Sequence, residues 1–183
     1  VTTANTYNLY QTFKTEGLVP QNWYVSNGSK KRVGGGLSYT DGCRLLRFTN
    51  SSKAFEYGLL VINNTTKAKA AWAKFGDKSG RSSLTMHAGH YALKYKLCNW
   101  NQPNFTPVIV AIEDLNGQEM ASKVYTPTVN IGGNTANKFS SVSQQTFEFD
   151  IPETGNYVIV FYTDAAKNAD FVLGQISIQA KRS

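Results

Sequence analysis

The sequence predicts an all-β protein, an antiparallel β-sandwich of jelly-roll topology with little or no helix. Short stretches rich in β-branched and aromatic residues recur along the chain, and clusters of Gly, Asn, Ser and Thr separate them. The run GHYALKYKLCNW at residues 89–100 shows the clearest pattern, because large apolar side chains alternate with small or polar ones. This period of two is typical of a strand with one face in a core. With 183 residues and 41% hydrophobic content, the chain is expected to form a single domain over residues 1–183.

The other strands follow in order, and each ends at turn-forming residues. Residues 1–28 are expected to hold an opening strand and a loop, and residues 126–143, rich in Asn, Gly, Ser and Thr, a long loop. The remaining predicted strands are residues 43–48, 55–62, 107–114, 146–151, 156–163 and 171–179. Two curved sheets should then enclose Tyr91, Leu93, Tyr95, Val108, Val110, Phe147, Phe149, Tyr157, Ile159 and Phe161.

Residues 67–75, KAKAAWAKF, have two interpretations. Their composition favours a helix, but Gly76 follows after barely two turns and isolated short helices are marginal in water. The alternative is a strand that places Trp72 on the surface of a sheet.

The chain is basic, with a formal net charge of +7 and a sequence pI of about 9.4. Solvated lysines that keep a domain soluble explain this charge without an anionic partner. No run reaches the roughly five or six like charges of a basic tail, and no stretch approaches the ~18 apolar residues of a membrane span. We therefore expect neither nucleic acid nor membrane as a partner. A single-strand nucleic-acid binder with stacked aromatics is the alternative that the charge favours.

The reactive side chains form no catalytic motif that we recognise. Cys43 and Cys98 are not in a C-x-x-C pair, so one disulfide and two free thiols are both open. His87 and His90 fall on opposite faces of a strand, which disfavours a zinc site. A G-x-S-x-G motif is absent, and the acidic residues show no spacing that defines a hydrolase pair. The expectation is a protein that is not an enzyme. The acidic candidates are Glu113, Asp114, Glu148 and Asp150.

Several short motifs are spread from residue 13 to residue 178. They are FKTEG at 13–17 followed by Trp23, KAF at 53–55, AGHYAL at 88–93, GNYVI at 155–159 and FVLGQISI at 171–178. In order and spacing they resemble the carbohydrate-binding modules of the family 4, 9 and 22 type, particularly those appended to glycoside hydrolases of Bacteroidetes.

The resemblance implies a β-sandwich that binds a polysaccharide in an open groove across one sheet. It further implies a secreted or cell-surface bacterial protein, in which the module is tethered to a catalytic domain that it targets to its substrate. The implied ligand is a plant cell-wall polysaccharide of the hemicellulose, glucan or pectin class. A protein-interaction or adhesion sandwich without glycan affinity is the alternative function.

The same resemblance raises the question of a structural calcium ion. Family members commonly hold it with an N-terminal acidic residue and an aspartate in the last strand. Glu16 supplies the first here, but Gly174 stands at the aspartate position. Calcium at Glu16 is therefore left open, and no other cofactor is expected.

Aromatic residues are the first candidates for glycan contact, because sugar C–H faces stack on aromatic rings. Trp72 and Trp100 flank the strand at 89–100, and packing in a loop or the core is the alternative for each. Phe55 matches an aromatic position of the family, with core packing as the alternative. Tyr57 lies two residues later and so is expected on the same face of the strand. Tyr125 is expected at the rim.

Polar candidates come from the strand at 89–100, since sugar hydroxyls need directional partners. Lys94 and Lys96 share its polar face, and parity puts them beside Glu113 and Tyr162 if these strands share a sheet. The lysines would then bind hydroxyls or a uronic-acid carboxylate on the floor of the groove. The alternative is a solvated face with cross-strand ion pairs.

Overall fold

Two β-sheets packed face to face form the protein in the computed structural model. The structure describes residues 6–8, 18–19, 22–26, 30–33, 36–39, 43–49, 55–62, 71–102, 104–132, 138–163 and 170–181. Within these ranges, the only helical element is a single 3₁₀ turn at residues 138–141. No helix of the described residues is long and apolar enough to cross a membrane.

The strands of the described residues are numbered in chain order. They are β1 Thr6–Asn8, β2 Leu18–Val19, β3 Trp23–Val25, β4 Lys30–Val33, β5 Gly36–Tyr39, β6 Arg44–Thr49, β7 Phe55–Val61, β8 Trp72–Phe75, β9 Leu84–Met86, β10 Gly89–Trp100, β11 Val108–Asp114, β12 Glu119–Tyr125, β13 Asn130–Ile131, β14 Gln144–Ile151, β15 Gly155–Thr163 and β16 Phe171–Lys181.

Sheet topology confirms the predicted all-β sandwich. Sheet I has the order β13-β10-β16-β7-β6, with β14 also beside β10 and β1 beside β16. Sheet II has the order β12-β11-β15-β8-β3, with β9 also beside β15, and β2, β5 and β4 form a small third sheet. All pairs are antiparallel except β10 with β13. Consecutive strands such as β10 and β11 lie in different sheets, as expected when two sheets share one core.

The core lies between sheets I and II and confirms the period-two prediction. All ten side chains expected there are buried in one cluster. Trp23, which contacts Phe75 and Phe161, anchors its sheet II side. Burying side chains of this size stabilises the fold by roughly 1.5–3 kcal/mol each, so the alternating strands account for most of the driving force.

A β-bulge interrupts the last strand. Lys94 pairs with Ser177 but Lys96 pairs with Gly174, so two residues of β16 face one residue of β10. Gln175 at this point has a φ of 48°, in the left-handed region. The extra residue reverses the parity of β16, so Phe171 and Leu173 face the core before it and Ile176 and Ile178 after it.

The segment expected to be a long loop, residues 126–143, contains only the short strand β13 and the 3₁₀ turn in its described part, and it covers part of the outer face of sheet I. Its Ile131, Phe139 and Val142 form a second buried cluster with side chains of β6, β7, β10 and β16. Phe139 packs so closely that a Cβ atom on Gly174 would lie 2.9 Å from its ring. Loop structure is therefore confirmed for most of the described segment, but its composition, rich in Ser and Asn, did not predict that its apolar side chains would be buried against a sheet. Residues 133–137 lie outside the described part.

Two further alternatives are resolved by the structure. Trp72 begins strand β8, so the surface-strand interpretation holds for residues 72–75, while residues 67–70 lie outside the described part. Cys43 and Cys98 are free, buried thiols in different clusters, so the disulfide alternative is wrong. Burial raises the pKa of the Cys98 thiol to about 12.

Candidate functional site

The outer face of sheet II carries an open cleft lined by aromatic and charged side chains. Trp72 of β8 pairs directly with Tyr162 of β15. Their neighbours Ala73 and Phe161 point into the core, so both aromatic rings lie on the outer face. The cleft, called here the sheet II cleft, has a volume of about 330 Å³. Its lining is Trp72, Lys74, Glu113, Gly117, Glu119, Val160 and Tyr162.

This cleft unites three of the nine predicted contact residues. Trp72, Glu113 and Tyr162 lie together in it. The prediction that Lys94 and Lys96 lie beside them was wrong, because β10 belongs to sheet I while β11 and β15 belong to sheet II. The lysine face and the aromatic cleft are therefore on opposite outer surfaces of the sandwich.

Lys96 does not lie on an open floor. Its side chain is only 3% exposed and its Nζ lies 2.6 Å from Glu56 Oε1 across strand β16. Gln175 Nε2 donates to the same oxygen at 2.6 Å, and the ring centroid of Phe139 is 4.5 Å from Nζ. The ammonium is thus enclosed by protein partners. Lys94, two residues earlier on the same face, is exposed.

The other aromatic candidates lie away from the cleft. Trp100 is half-buried against the cluster beneath Phe139, with its ring 6.5 Å from that of Phe48. Tyr125 is partly buried and packs against the core, where its ring meets that of Tyr95 edge-on at 6.1 Å. Tyr57 packs against the same core. For Phe55 the structure describes only the backbone, in β7.

Backbone contacts fix Trp72 at the edge of the cleft. The Ser26 hydroxyl accepts from the Trp72 N–H at 3.0 Å, and the Trp72 carbonyl accepts from the Ser26 N–H at 3.1 Å. On the other side, β8 pairs with β15. The indole therefore projects from a backbone held on both sides, which lowers the entropy lost when a ligand stacks on it.

The β11–β12 turn forms the far wall. The Asp114 carboxylate accepts from the N–H groups of Asn116 and Gln118, both at 2.9 Å. Gly117 completes the turn with a φ of +82°, which only glycine adopts readily. The Lys78 ammonium reaches over this glycine, 2.8 Å from where a Cβ would lie. The turn so positions Glu119 opposite Glu113.

Charges inside the cleft are only partly compensated. Burial raises the pKa of Glu113 despite Lys74 and Lys78 nearby, with Glu119 and Asp114 adding to the rise. Burial likewise lowers the pKa of Lys74, opposed by Glu113 and reinforced by Lys78. Among the described residues, neither the Glu113 carboxylate nor the Lys74 ammonium forms a side-chain hydrogen bond or an ion pair. Both are thus available to a ligand.

Each of the two aromatic side chains has a charged side chain next to it. The Tyr162 hydroxyl donates to Glu119 Oε2 at 3.2 Å, and the Lys74 Nζ lies 4.6 Å from the centroid of the Trp72 ring. The Trp72–Tyr162 row continues across the sheet into Ile109 and then Val124, which is 62% exposed. The outer face of sheet II therefore offers an apolar strip with donors and acceptors along one side.

Sequence reasoning missed Lys74, Gly117 and Glu119 as members of this site. Lys74 shares the parity of Trp72, so the strand interpretation of residues 72–75 already placed it on the same face. Glu119 follows the Asn116-Gly117 turn and is brought back to Glu113 by the hairpin. A hairpin assignment for residues 108–125 was the signal that could have found it.

The calcium alternative gains no support from Gly174. A side chain there would meet Phe139 at 2.9 Å and the Tyr57 carbonyl at 3.2 Å, so an aspartate does not fit. Glu16 lies outside the described residues. Within the described ranges, His, Cys, Asp and Glu side chains form no group of three or more that could hold a metal ion.

The sequence has no matching protein-family model and no matching curated protein. Its fold is nevertheless shared with solved structures of low sequence identity. The CBM22-1 xylan-binding domain of Paenibacillus barcinonensis Xyn10C matches with a TM-score of 0.56 at 11% identity, covering 98% of this chain and 95% of that domain. The CBM22-1–GH10 part of Clostridium thermocellum xylanase 10B, complexed with xylohexaose, matches with a TM-score of 0.50 at 14% identity over 88% of this chain.

An arabinose-bound α-L-arabinofuranosidase, MgGH51, matches with a TM-score of 0.58 at 10% identity over 94% of this chain. The chain spans 26% of the length of each of the two enzymes. At these identities the likeness concerns the fold alone: this chain has the β-sandwich fold found in carbohydrate-binding modules.

Proposed function

We propose that this protein is a non-catalytic carbohydrate-binding module that binds a plant cell-wall polysaccharide of the hemicellulose class in the sheet II cleft. One observation carries the proposal. Two aromatic rings, Trp72 and Tyr162, sit side by side on an open sheet face beside the Glu113 carboxylate and the Lys74 ammonium. This is the combination that a sugar ring with an apolar face and a hydroxyl edge requires.

In the proposed complex, the C–H faces of successive sugars stack along the Trp72–Tyr162 row. Glu113 accepts hydrogen bonds from hydroxyl groups and Lys74 donates to hydroxyl or ring oxygens. Hydrogen bonds to charged groups are stronger than neutral ones. The fold is shared with a xylan-binding domain, and this likeness supports a polysaccharide such as xylan as the ligand.

The proposed role is targeting rather than hydrolysis. Tethered to a catalytic domain of a secreted or cell-surface bacterial enzyme, the module would raise the effective concentration of that enzyme at its substrate. The alternative is a protein-interaction or adhesion sandwich, which needs no glycan.

Affinity electrophoresis in native gels tests the proposal. Gels contain xylan, xyloglucan, mixed-linkage glucan, mannan or pectin, and migration is compared with a gel without polysaccharide. We expect retardation by at least one hemicellulose. Trp72→Ala and Tyr162→Ala should each weaken binding by roughly 1–3 kcal/mol, as truncation of an aromatic anchor does.

Trp100→Ala is the matched control, because it also removes a tryptophan ring but from the outer face of sheet I. This variant should still be retarded in the polysaccharide gels. Loss of binding in Trp100→Ala but not in Trp72→Ala would move the site to sheet I. An absence of retardation in every gel would favour the adhesion alternative.

A further inference from the structure

A second concave surface lies where the loop after β10 leads into β11. It has a volume of about 190 Å³ and is lined by Gln102, Asn104, Phe105 and Asn130. These residues are separate from those of the sheet II cleft. We call this surface the loop pocket.

Two reciprocal amide contacts hold the loop in place. Asn99 Oδ1 accepts from the Thr106 N–H at 3.0 Å, and Asn99 Nδ2 donates to the Thr106 carbonyl at 3.1 Å. Asn130 Oδ1 accepts from the Gln102 N–H at 3.0 Å, and Asn130 Nδ2 donates to the Gln102 carbonyl at 2.7 Å. Gln102 and Thr106 are therefore each held by two hydrogen bonds, one residue on either side of Asn104 and Phe105.

Phe105 lies on this loop with its aromatic side chain exposed instead of packed in a core. The residue is 53% exposed, although its neighbour Thr106 is buried. An aromatic ring left in water on a clamped backbone suits stacking against an apolar surface.

Gln102, which also lines the pocket, has an unsatisfied acceptor. The residue is 6% exposed, and its Oε1 has no hydrogen-bond partner among the described residues, while its Nε2 donates to the Trp100 carbonyl at 2.5 Å. A buried oxygen without a partner costs free energy, typically about 1–3 kcal/mol. An unpaired group of this kind calls for an explanation, and a shift of the side chain toward a ligand hydroxyl in the pocket would supply the missing bond.

We infer that the loop pocket is a second binding site, which takes a single uncharged sugar ring at a chain end or on a side branch. The described residues that line the pocket carry three side-chain amides and one aromatic ring and no charged group, which suits hydroxyls rather than a carboxylate or phosphate. The volume of about 190 Å³ is below the roughly 300 Å³ at which sites for larger ligands begin, so one ring is the appropriate size.

The loop before β11 lies near the Tyr162 end of the sheet II cleft. The loop leads into Val108, which pairs with Thr163, the residue after Tyr162. A sugar in the pocket nevertheless needs none of the cleft residues, so this inference stands apart from the proposed function.

Monosaccharide titration followed by ¹H–¹⁵N NMR tests the inference. The probes are xylose, arabinose, glucose and galactose, each added to the ¹⁵N-labelled chain, with glucuronate as a charged comparison. Saturable shifts are expected at the side-chain amides of Gln102, Asn104 and Asn130 with at least one neutral sugar. The same shifts should occur in Trp72→Ala.

Phe105→Ala should weaken this response roughly tenfold or more, and Phe105→Tyr, which keeps the ring, should retain it. Since Phe105 is exposed, an unchanged spectrum elsewhere in Phe105→Ala will show that the fold is intact. The inference is overturned if no loop amide shifts with any neutral sugar even at sugar concentrations above the millimolar range. It is also overturned if Trp72→Ala rather than Phe105→Ala removes the response. Lack of polysaccharide retardation alone would contradict only the proposed function.

Discussion

Replacing Lys96 by methionine should destabilise the fold rather than weaken glycan binding. Lys96 and Glu56 are 2% and 6% exposed, and their charged atoms are 2.6 Å apart. Without the ammonium, the Glu56 carboxylate stays buried with the Gln175 amide as its described hydrogen-bond donor. Removing one partner of a buried ion pair typically costs about 3–5 kcal/mol.

Two further variants separate charge from packing. Lys96→Met combined with Glu56→Leu removes both charges and should recover most of the lost stability, because apolar replacements of a buried pair are often neutral. Lys94→Met is the matched control, since this lysine lies on the same strand and face but is exposed. Its effect should stay within about 0.5 kcal/mol.

Urea unfolding and thermal melting measure these differences. For a chain of 183 residues, each kcal/mol lowers the Tm by roughly 2–4 °C, so Lys96→Met should melt about 6–20 °C lower. Equal stability of Lys96→Met and Lys94→Met would refute the buried pair. Retained stability together with lost retardation in polysaccharide gels would instead make Lys96 a ligand contact, as the sequence predicts.

Three more outcomes can be checked. Gly174→Ala places a Cβ 2.9 Å from Phe139 and should lower the free energy of unfolding, measured in urea, by about 1–3 kcal/mol, whereas Gly155→Ala, with its nearest atom at 3.7 Å, should change that free energy little. Cys98 is buried and its pKa is about 12, so at pH ~8 it should react with a thiol reagent only as fast as the protein opens. Mass spectrometry follows the labelling, and rapid labelling of the folded chain would contradict the burial of Cys98. Glu113→Gln should raise stability at neutral pH, because a carboxyl whose folded pKa is raised opposes folding once it ionises; the gain should vanish as pH falls below the ordinary value of 4.5. The same variant should weaken polysaccharide retardation, and a stable variant with full binding would exclude Glu113 from the site.

Local periodicity was enough to predict the core. Successive side chains of a strand point to opposite faces of its sheet. In β10 this alternation assigned Tyr91, Leu93 and Tyr95 to the interior before any partner strand was known. For Trp72, which no alternating run surrounds, the surface strand stayed one of two open interpretations.

Sheet membership could not be obtained in that way. Parity states which side chains share a face of one strand, but it does not say which sheet that strand joins. Lys96 and Lys74 both alternate with buried residues in a strand, and the sequence around them gives no reason to separate them. Long-range pairing puts one in sheet I and the other in sheet II, and Phe139 then covers only the first.

These two lysines make the strongest physical contrast in the molecule. Lys96 is bonded to Glu56 at 2.6 Å beneath a covering segment, which satisfies both charges. Lys74 and Glu113 line the same cleft, each half-buried with its pKa moved by burial, yet they are not bonded to each other. Of these two lysine–glutamate pairs, only the one on sheet II keeps its charged groups partly buried without a bond between them. Such local cost is expected where side chains are kept ready for a ligand, and it falls beside Trp72 and Tyr162.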